Sequence, residues 1–288
     1  MGYCSKNGVI GYTRATKLKS GVLDMTKAII WAVGGTGFTF LMTTLGAALV
    51  FLLKGQIKTG IQKALLGFAA GVMIAASVWS LLIPAIEETE KSGGIGWIPA
   101  AVGFTLGVAF LMALDSLLPH FHPGIKKAEG LPSSWKRTTL LVLAVTLHNI
   151  PEGMAVGLSF ALAAQHKGEP ELFASAIALC IGIGIQNFPE GAAISLPLRQ
   201  EGISAGKSFF YGSMSAVVEP IFGILVVLVA GNIQPLMPWL LSVAAGAMMF
   251  VVVEELIPEA RLGEHSNLGT LGVMCGFLLM MVLDVALK

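Results

Sequence analysis

Leu147-His148-Asn149-Ile150-Pro151-Glu152-Gly153 lies in the middle of a long apolar run, and Gln186-Asn187-Phe188-Pro189-Glu190-Gly191 repeats its pattern in the next run, 38 residues on (148 to 186). On a helix, donors four residues apart share one face, one turn from each other, so His148 pairs with Glu152 and Gln186 with Glu190. Each proline removes an amide hydrogen and leaves the carbonyl four residues earlier, at Leu147 or Ile185, without its helical partner. Ionisable groups and broken helices at bilayer depth are costly unless they face protein, a water-filled cavity or an ion. The doubled string therefore predicts a polar centre inside a membrane bundle.

Composition around these strings agrees. Hydrophobic residues make up 55% of the 288-residue chain and charged residues only 12%, with a mean hydropathy of +0.80. A soluble domain carries about 25% charged residues, so this chain cannot coat itself for water. The 18 Lys and Arg nearly cancel the 17 Asp and Glu, which gives no field pointing to nucleic acid as a partner. Cys4, Cys180 and Cys275 have no CxxC spacing, which argues against a disulfide scaffold or thiolate cluster.

A spanning helix needs about 20 mainly apolar residues. Eight stretches qualify: Ala28–Leu53, Ala64–Ile86, Ile95–Leu118, Thr138–Ala164, Leu172–Leu198, Ser204–Gly231, Pro235–Pro258 and Leu268–Leu287. The fold class is thus an all-α integral membrane protein with eight transmembrane helices, a single domain over 28–288 after a polar N-terminal segment, 1–27. Lys54, Lys58, Lys63, Lys126, Lys127, Lys136, Arg137, Arg199, Lys207 and Arg261 fall in the connections after spans one, three, five and seven, and the opposite side holds Lys91, Lys167 and Lys288. The positive-inside rule puts the first set in the cytoplasm and both termini outside. Lys6, Arg14, Lys17, Lys19 and Lys27 conflict with that orientation, and the expectation is that Met25 is the native start, which leaves only Lys27 to cross. Spans two and seven also echo each other, from Ala70-Gly71 to Pro84 and from Ala245-Gly246 to Pro258, as in carriers built from structural repeats.

Two polar helix faces turned toward each other supply one imidazole, one amide oxygen and two carboxylates. These N and O donors suit a borderline divalent ion such as Zn²⁺ or Fe²⁺, whose charge the two glutamates balance. Asn149 and Asn187, with Glu219 of span six, offer a second oxygen-rich site with Glu152 and Glu190 as bridges. Gln186, Asn149 and Asn187 also suit interhelical hydrogen bonding. At one mouth stand Asp115, His120, His122, Glu254, Glu255 and Glu259, readable as a relay or as an ordinary helix-water boundary. At the other stand Glu87, Glu88, Glu90 and Asp284, which concentrate cations or form a solvated acidic loop. His166 and His265 receive no role.

These strings, with Glu219-Pro220, resemble those of the ZIP (Zrt/Irt-like protein) family of divalent metal transporters, and its bacterial GufA-like branch in particular. The resemblance covers the eight spans. It implies a two-metal centre, with His148, Glu152, Gln186 and Glu190 at the first metal, Asn149, Asn187 and Glu219 at the second, and Glu152 and Glu190 bridging. Entrance acids fall on Glu87 and Asp284, and exit ligands on Asp115, His120, Glu254 and Glu255. Related bacterial members can carry Asp at the place of Asn187, so the second site here is less anionic. The resemblance further implies an inverted repeat of spans one to three and six to eight around spans four and five. Spans one, four, five and six would move against two, three, seven and eight, often in a homodimer. The resulting expectation is a carrier in the cell membrane, not an enzyme, importing Zn²⁺, with Cd²⁺ or Fe²⁺ as substitutes, by alternating access and without an organic cofactor. The rival readings are an intramembrane metallohydrolase, which lacks an HExxH motif, and a metal-selective channel.

Overall fold

The computed structural model describes residues 6–53, 58–117, 137–166, 168–232, 234–261 and 267–287; for 6–24, 137, 138, 140, 141, 144, 231, 232 and 234 only the backbone is described. Among these residues the chain is helical, without strands. Among the described residues, seven helices are long and apolar enough to cross a membrane: α1 (Met25–Leu52), α2 (Thr59–Lys91), α3 (Trp97–Leu117), α5 (Pro170–Gln200), α6 (Ala205–Ala230), α7 (Met237–Arg261) and α8 (Leu268–Ala286). The expected count was eight. The remaining expected span, Thr138–Ala164, coincides with α4 (Arg137–Gln165), a helix of 29 residues with Pro151 inside it, which is not among the seven. The protein is a multi-pass membrane protein. The first spanning segment, Met25–Leu52, matches the expected Ala28–Leu53 within a few residues, and its helix continues back to Lys6.

The echo between spans two and seven has a structural counterpart. In α2 a π-helical segment, Ser77–Leu82, immediately precedes Ile83-Pro84, and in α7 a second one, Val252–Leu256, immediately precedes Ile257-Pro258. A proline lacks the amide hydrogen and its ring crowds the carbonyl four residues back, and a widened turn accommodates both defects.

Packing divides the helices into two groups. The closest pairings are α2 with α8, α3 with α7, α1 with α5 and α4 with α6, and α1 and α4 also pack on other members of their own group. Thus α1, α4, α5 and α6 form one body and α2, α3, α7 and α8 the other. Exchanging α1–α3 for α6–α8 and α4 for α5 maps each of these pairings onto another, as an inverted repeat requires. Within each body, backbones touch. A Cβ on Gly191 of α5 would stand 1.9 Å from the Thr43 carbonyl oxygen of α1, and one on Gly71 of α2 only 2.0 Å from the Val273 carbonyl oxygen of α8. Such approach is open to glycine alone. Between the bodies Gly182 of α5 instead meets a flexible side chain, the sulfur of Met280 on α8.

Candidate metal centre

Helices α4, α5 and α6 carry the polar residues, and α1 closes around them. His148, Asn149, Glu152, Gln186, Asn187 and Glu219 are all buried, and Glu190 is nearly so. Gly153 explains how the third helix comes near. A Cβ there would lie 2.4 Å from the carbonyl oxygen and 2.5 Å from the Cα of Glu219, so the absence of a side chain lets α6 press its glutamate against α4 beside Glu152.

Within this centre the Gln186 amide donates to Glu152 Oε1 at 2.7 Å. The Asn187 amide donates to Glu219 Oε1 at 2.9 Å and more weakly, at 3.4 Å, to the backbone oxygen of Thr39. The Thr39 hydroxyl donates to the other oxygen, Oε2, of Glu219. Glu190 lies within electrostatic reach of Glu152, His148 and Glu255. Asn149 Oδ1, Glu152 Oε2, Gln186 Oε1, Asn187 Oδ1 and Glu190 Oε1 are buried without a hydrogen-bond partner, as is one amide donor, Asn149 Nδ2, which lies near Glu190. Orphaned acceptors are expensive in a protein interior, and here they cluster on five neighbouring residues. Lone pairs without donors are what a cation needs.

The expected sets are brought together with two differences. His148 turns its Nε2 to Glu255 in the π segment of α7, which links an imidazole expected at the first site on one body to an expected exit residue on the other. Glu219 has both oxygens occupied by Asn187 and Thr39. Among the described residues, accordingly, no three His, Cys, Asp or Glu side chains gather around one point; the carboxylates are interleaved with amides.

The mouth residues separate by environment. Glu87 and Glu254 are exposed and Asp115 is half-buried, whereas His120 and His122 lie outside the described residues. Asp284, expected as an entrance acid, is fully buried. Its carboxylate accepts from Ser80 Oγ of α2 at 2.5 Å and from Ser175 Oγ of α5 at 2.7 Å, so it fastens the two bodies to each other. At the same end of the bundle the Lys91 ammonium donates to Glu169 at 2.6 Å, and that bond holds the Glu169 carboxyl below the usual carboxylate value.

Thr39, Ser80 and Ser175 were missed in the sequence. The signal for Thr39 was available: Thr36, Thr39 and Thr43 recur on one face of α1, and all three are fully buried. Ser80 and Ser175 carried no pattern.

Comparison with known proteins follows the same lines. The family described as ZIP zinc transporter matches residues 126–284. The chain is 39% identical to human zinc transporter ZIP11 over 92% of its length and all of that protein. It is 39% identical to zinc transporter GufA of Myxococcus xanthus over 85% of its length and 94% of that protein. It shares 39% identity with zinc transporter ZIPB of Bordetella bronchiseptica, over 89% of its length and 81% of that protein. These relatives are named as transporters, not enzymes, and they meet the chain across both helical bodies and the polar centre between α4, α5 and α6: the chain belongs to the ZIP zinc transporter family.

Proposed function

We propose that the protein carries Zn²⁺ across the cell membrane into the cytoplasm, with Cd²⁺ and Fe²⁺ as weaker substrates, by alternating access through the buried centre. The observation that carries this reading is the cluster of five unpartnered oxygens on Asn149, Glu152, Gln186, Asn187 and Glu190. Two carboxylates offset the desolvation of a doubly charged ion, and neutral amide oxygens keep the grip weak enough for release. His148, Glu152, Gln186 and Glu190 hold the first ion. Asn149, Asn187 and Glu219 hold a second, with Glu152 and Glu190 as bridges, once the Thr39 and Asn187 hydrogen bonds to Glu219 yield.

Direction follows from the basic connections after spans one, three, five and seven, which belong in the cytoplasm. The α2–α3 and α4–α5 connections then face outward. Glu87 draws ions to that face, and His148 with Glu255 leads them toward Glu254 and Asp115 on the other. The two-body packing supports a rigid-body step in which α1, α4, α5 and α6 move against the remainder, because side chains, not interlocked backbones, meet at Gly182. A homodimer built on the second body suits this motion.

The test is uptake of Zn²⁺, Cd²⁺ and Fe²⁺ into sealed vesicles at two pH values, with Glu190→Gln as control. Saturable uptake with counterflow, Zn²⁺ leading, is expected. Non-saturating flux would replace the carrier with a channel.

A further inference from the structure

His166, at the end of α4, belongs to neither set of transport residues. Its Nδ1 lies 3.1 Å from the backbone oxygen of Leu162, and a carbonyl only accepts, so Nδ1 carries the hydrogen. Its Nε2 then faces Glu88 Oε2 of α2 at 3.1 Å. Unprotonated, this nitrogen would point a lone pair straight at a carboxylate. A proton or a metal ion held between the two atoms satisfies both. A ring N–H given to a backbone carbonyl while the other nitrogen is presented outward is also how proteins orient a metal-binding histidine.

The surroundings leave room for an ion and its waters. Glu88 and His166 line a cavity of about 550 Å³, together with Thr89, Ser92, Gln165 and Trp239. Both side chains are about one-fifth exposed, at 22% and 23%. The charged groups near the imidazole are Glu88 of α2 and Glu169 before α5; the Lys91 ammonium bonds Glu169 and also lies within electrostatic reach of Glu88 and Glu87. A tetrahedral zinc ion bound by one imidazole nitrogen and one carboxylate oxygen holds them about 3.3 Å apart, close to the observed spacing.

We infer that Glu88 and His166 form a second, peripheral binding site for a divalent cation, in a cavity between the two helical bodies and distinct from the buried centre. Any proton shared between the two atoms leaves to solvent on binding, and the ion completes its coordination with water. Because Glu88 belongs to one body and His166 to the other, an ion held there ties the bodies together at the α2–α3 end. This rests on the reading that the chain handles divalent ions, but its test is independent of transport.

The full-length protein in detergent at neutral pH is treated with an imidazole-acylating reagent, with and without Zn²⁺, and acylation of His166 is read by peptide mass spectrometry. Zinc is expected to suppress His166 acylation in the wild type and equally in Glu190→Gln, where the buried centre is weakened. In Glu88→Gln, still a monodisperse protein, that protection is expected to vanish while His166 stays reactive. Equal acylation with and without zinc in the wild type, or protection that survives Glu88→Gln, overturns the site. Protection lost only in Glu190→Gln would assign the effect to the buried centre and overturn it as well.

Discussion

Replacing Gly153 by alanine is a stringent probe of how packing sets the centre. A methyl at this position would stand 2.4 Å from the Glu219 carbonyl oxygen, 2.5 Å from its Cα and 2.8 Å from its carbonyl carbon, all of them backbone atoms that cannot rotate away. Ordinary contact begins near 3.4 Å, so α6 must retreat from α4 by about 1 Å (3.4 less 2.4). Overpacking of this kind costs about 1–3 kcal/mol, against which alanine's better helix propensity returns up to about 1 kcal/mol. Function suffers more than folding, because metal-donor distances tolerate only about 0.2 Å. Saturable Zn²⁺ uptake in proteoliposomes should fall by about tenfold or more, the scale seen when the support of a metal ligand is disturbed. Gly34→Ala is the control: it is exposed, nothing lies within 4 Å of its Cβ position, and uptake should match the wild type. If Gly153→Ala elutes as a folded protein and transports within twofold of the wild type, the inference from close helix approach to donor geometry is wrong.

Other perturbations test neighbouring steps. Thr39→Val removes the hydroxyl that bonds Glu219 and should cost about 1–3 kcal/mol, the range for leaving a buried acceptor unsatisfied; a lower thermal midpoint in detergent checks this. Ser80→Ala with Ser175→Ala strips Asp284 of both donors inside the interface between the bodies, and each loss should cost about 1–3 kcal/mol; a double variant as stable as the wild type would refute the fastening role. Because the Lys91 bond lowers the Glu169 carboxyl, the pair's contribution is present above the ordinary carboxylate range and is lost as pH falls through the lowered value. The pair is exposed, so the effect is small, and Lys91→Ala should flatten the acid limb of a stability-against-pH curve.

Much of this architecture was legible because bilayers impose simple length and polarity rules. The helix expected over 172–198 is found over Pro170–Gln200, and the one expected over 95–118 over Trp97–Leu117. The repeated Pro-Glu-Gly strings located the centre because prolines and glutamates at mid-span are too costly to be incidental. The echo around Pro84 and Pro258 marked the two widened turns, although nothing in one dimension says that a proline will be met by a π segment instead of a kink. Partner choice was not legible. A threonine or serine inside an apolar helix most often bonds its own carbonyl one turn back, as Thr36 and Ser77 do, so Thr39 and Ser80 gave no sign that they reach carboxylates on other helices. Asp284 read as a mouth residue from its place near the end of span eight, and only the packing of α2 and α5 over it shows that it is buried. His148 was placed with Glu152 by helical spacing, and that spacing could not foresee a glutamate arriving from α7.

The central claim is that Glu152 and Glu190 hold the transported ion. The direct measurement is equilibrium Zn²⁺ binding and vesicle uptake on the same preparations of wild type, Glu152→Ala and Glu190→Ala. The account predicts that either substitution removes both the bound zinc of the buried centre and saturable uptake, while each protein still elutes as a folded species. Unchanged uptake in both variants would contradict it.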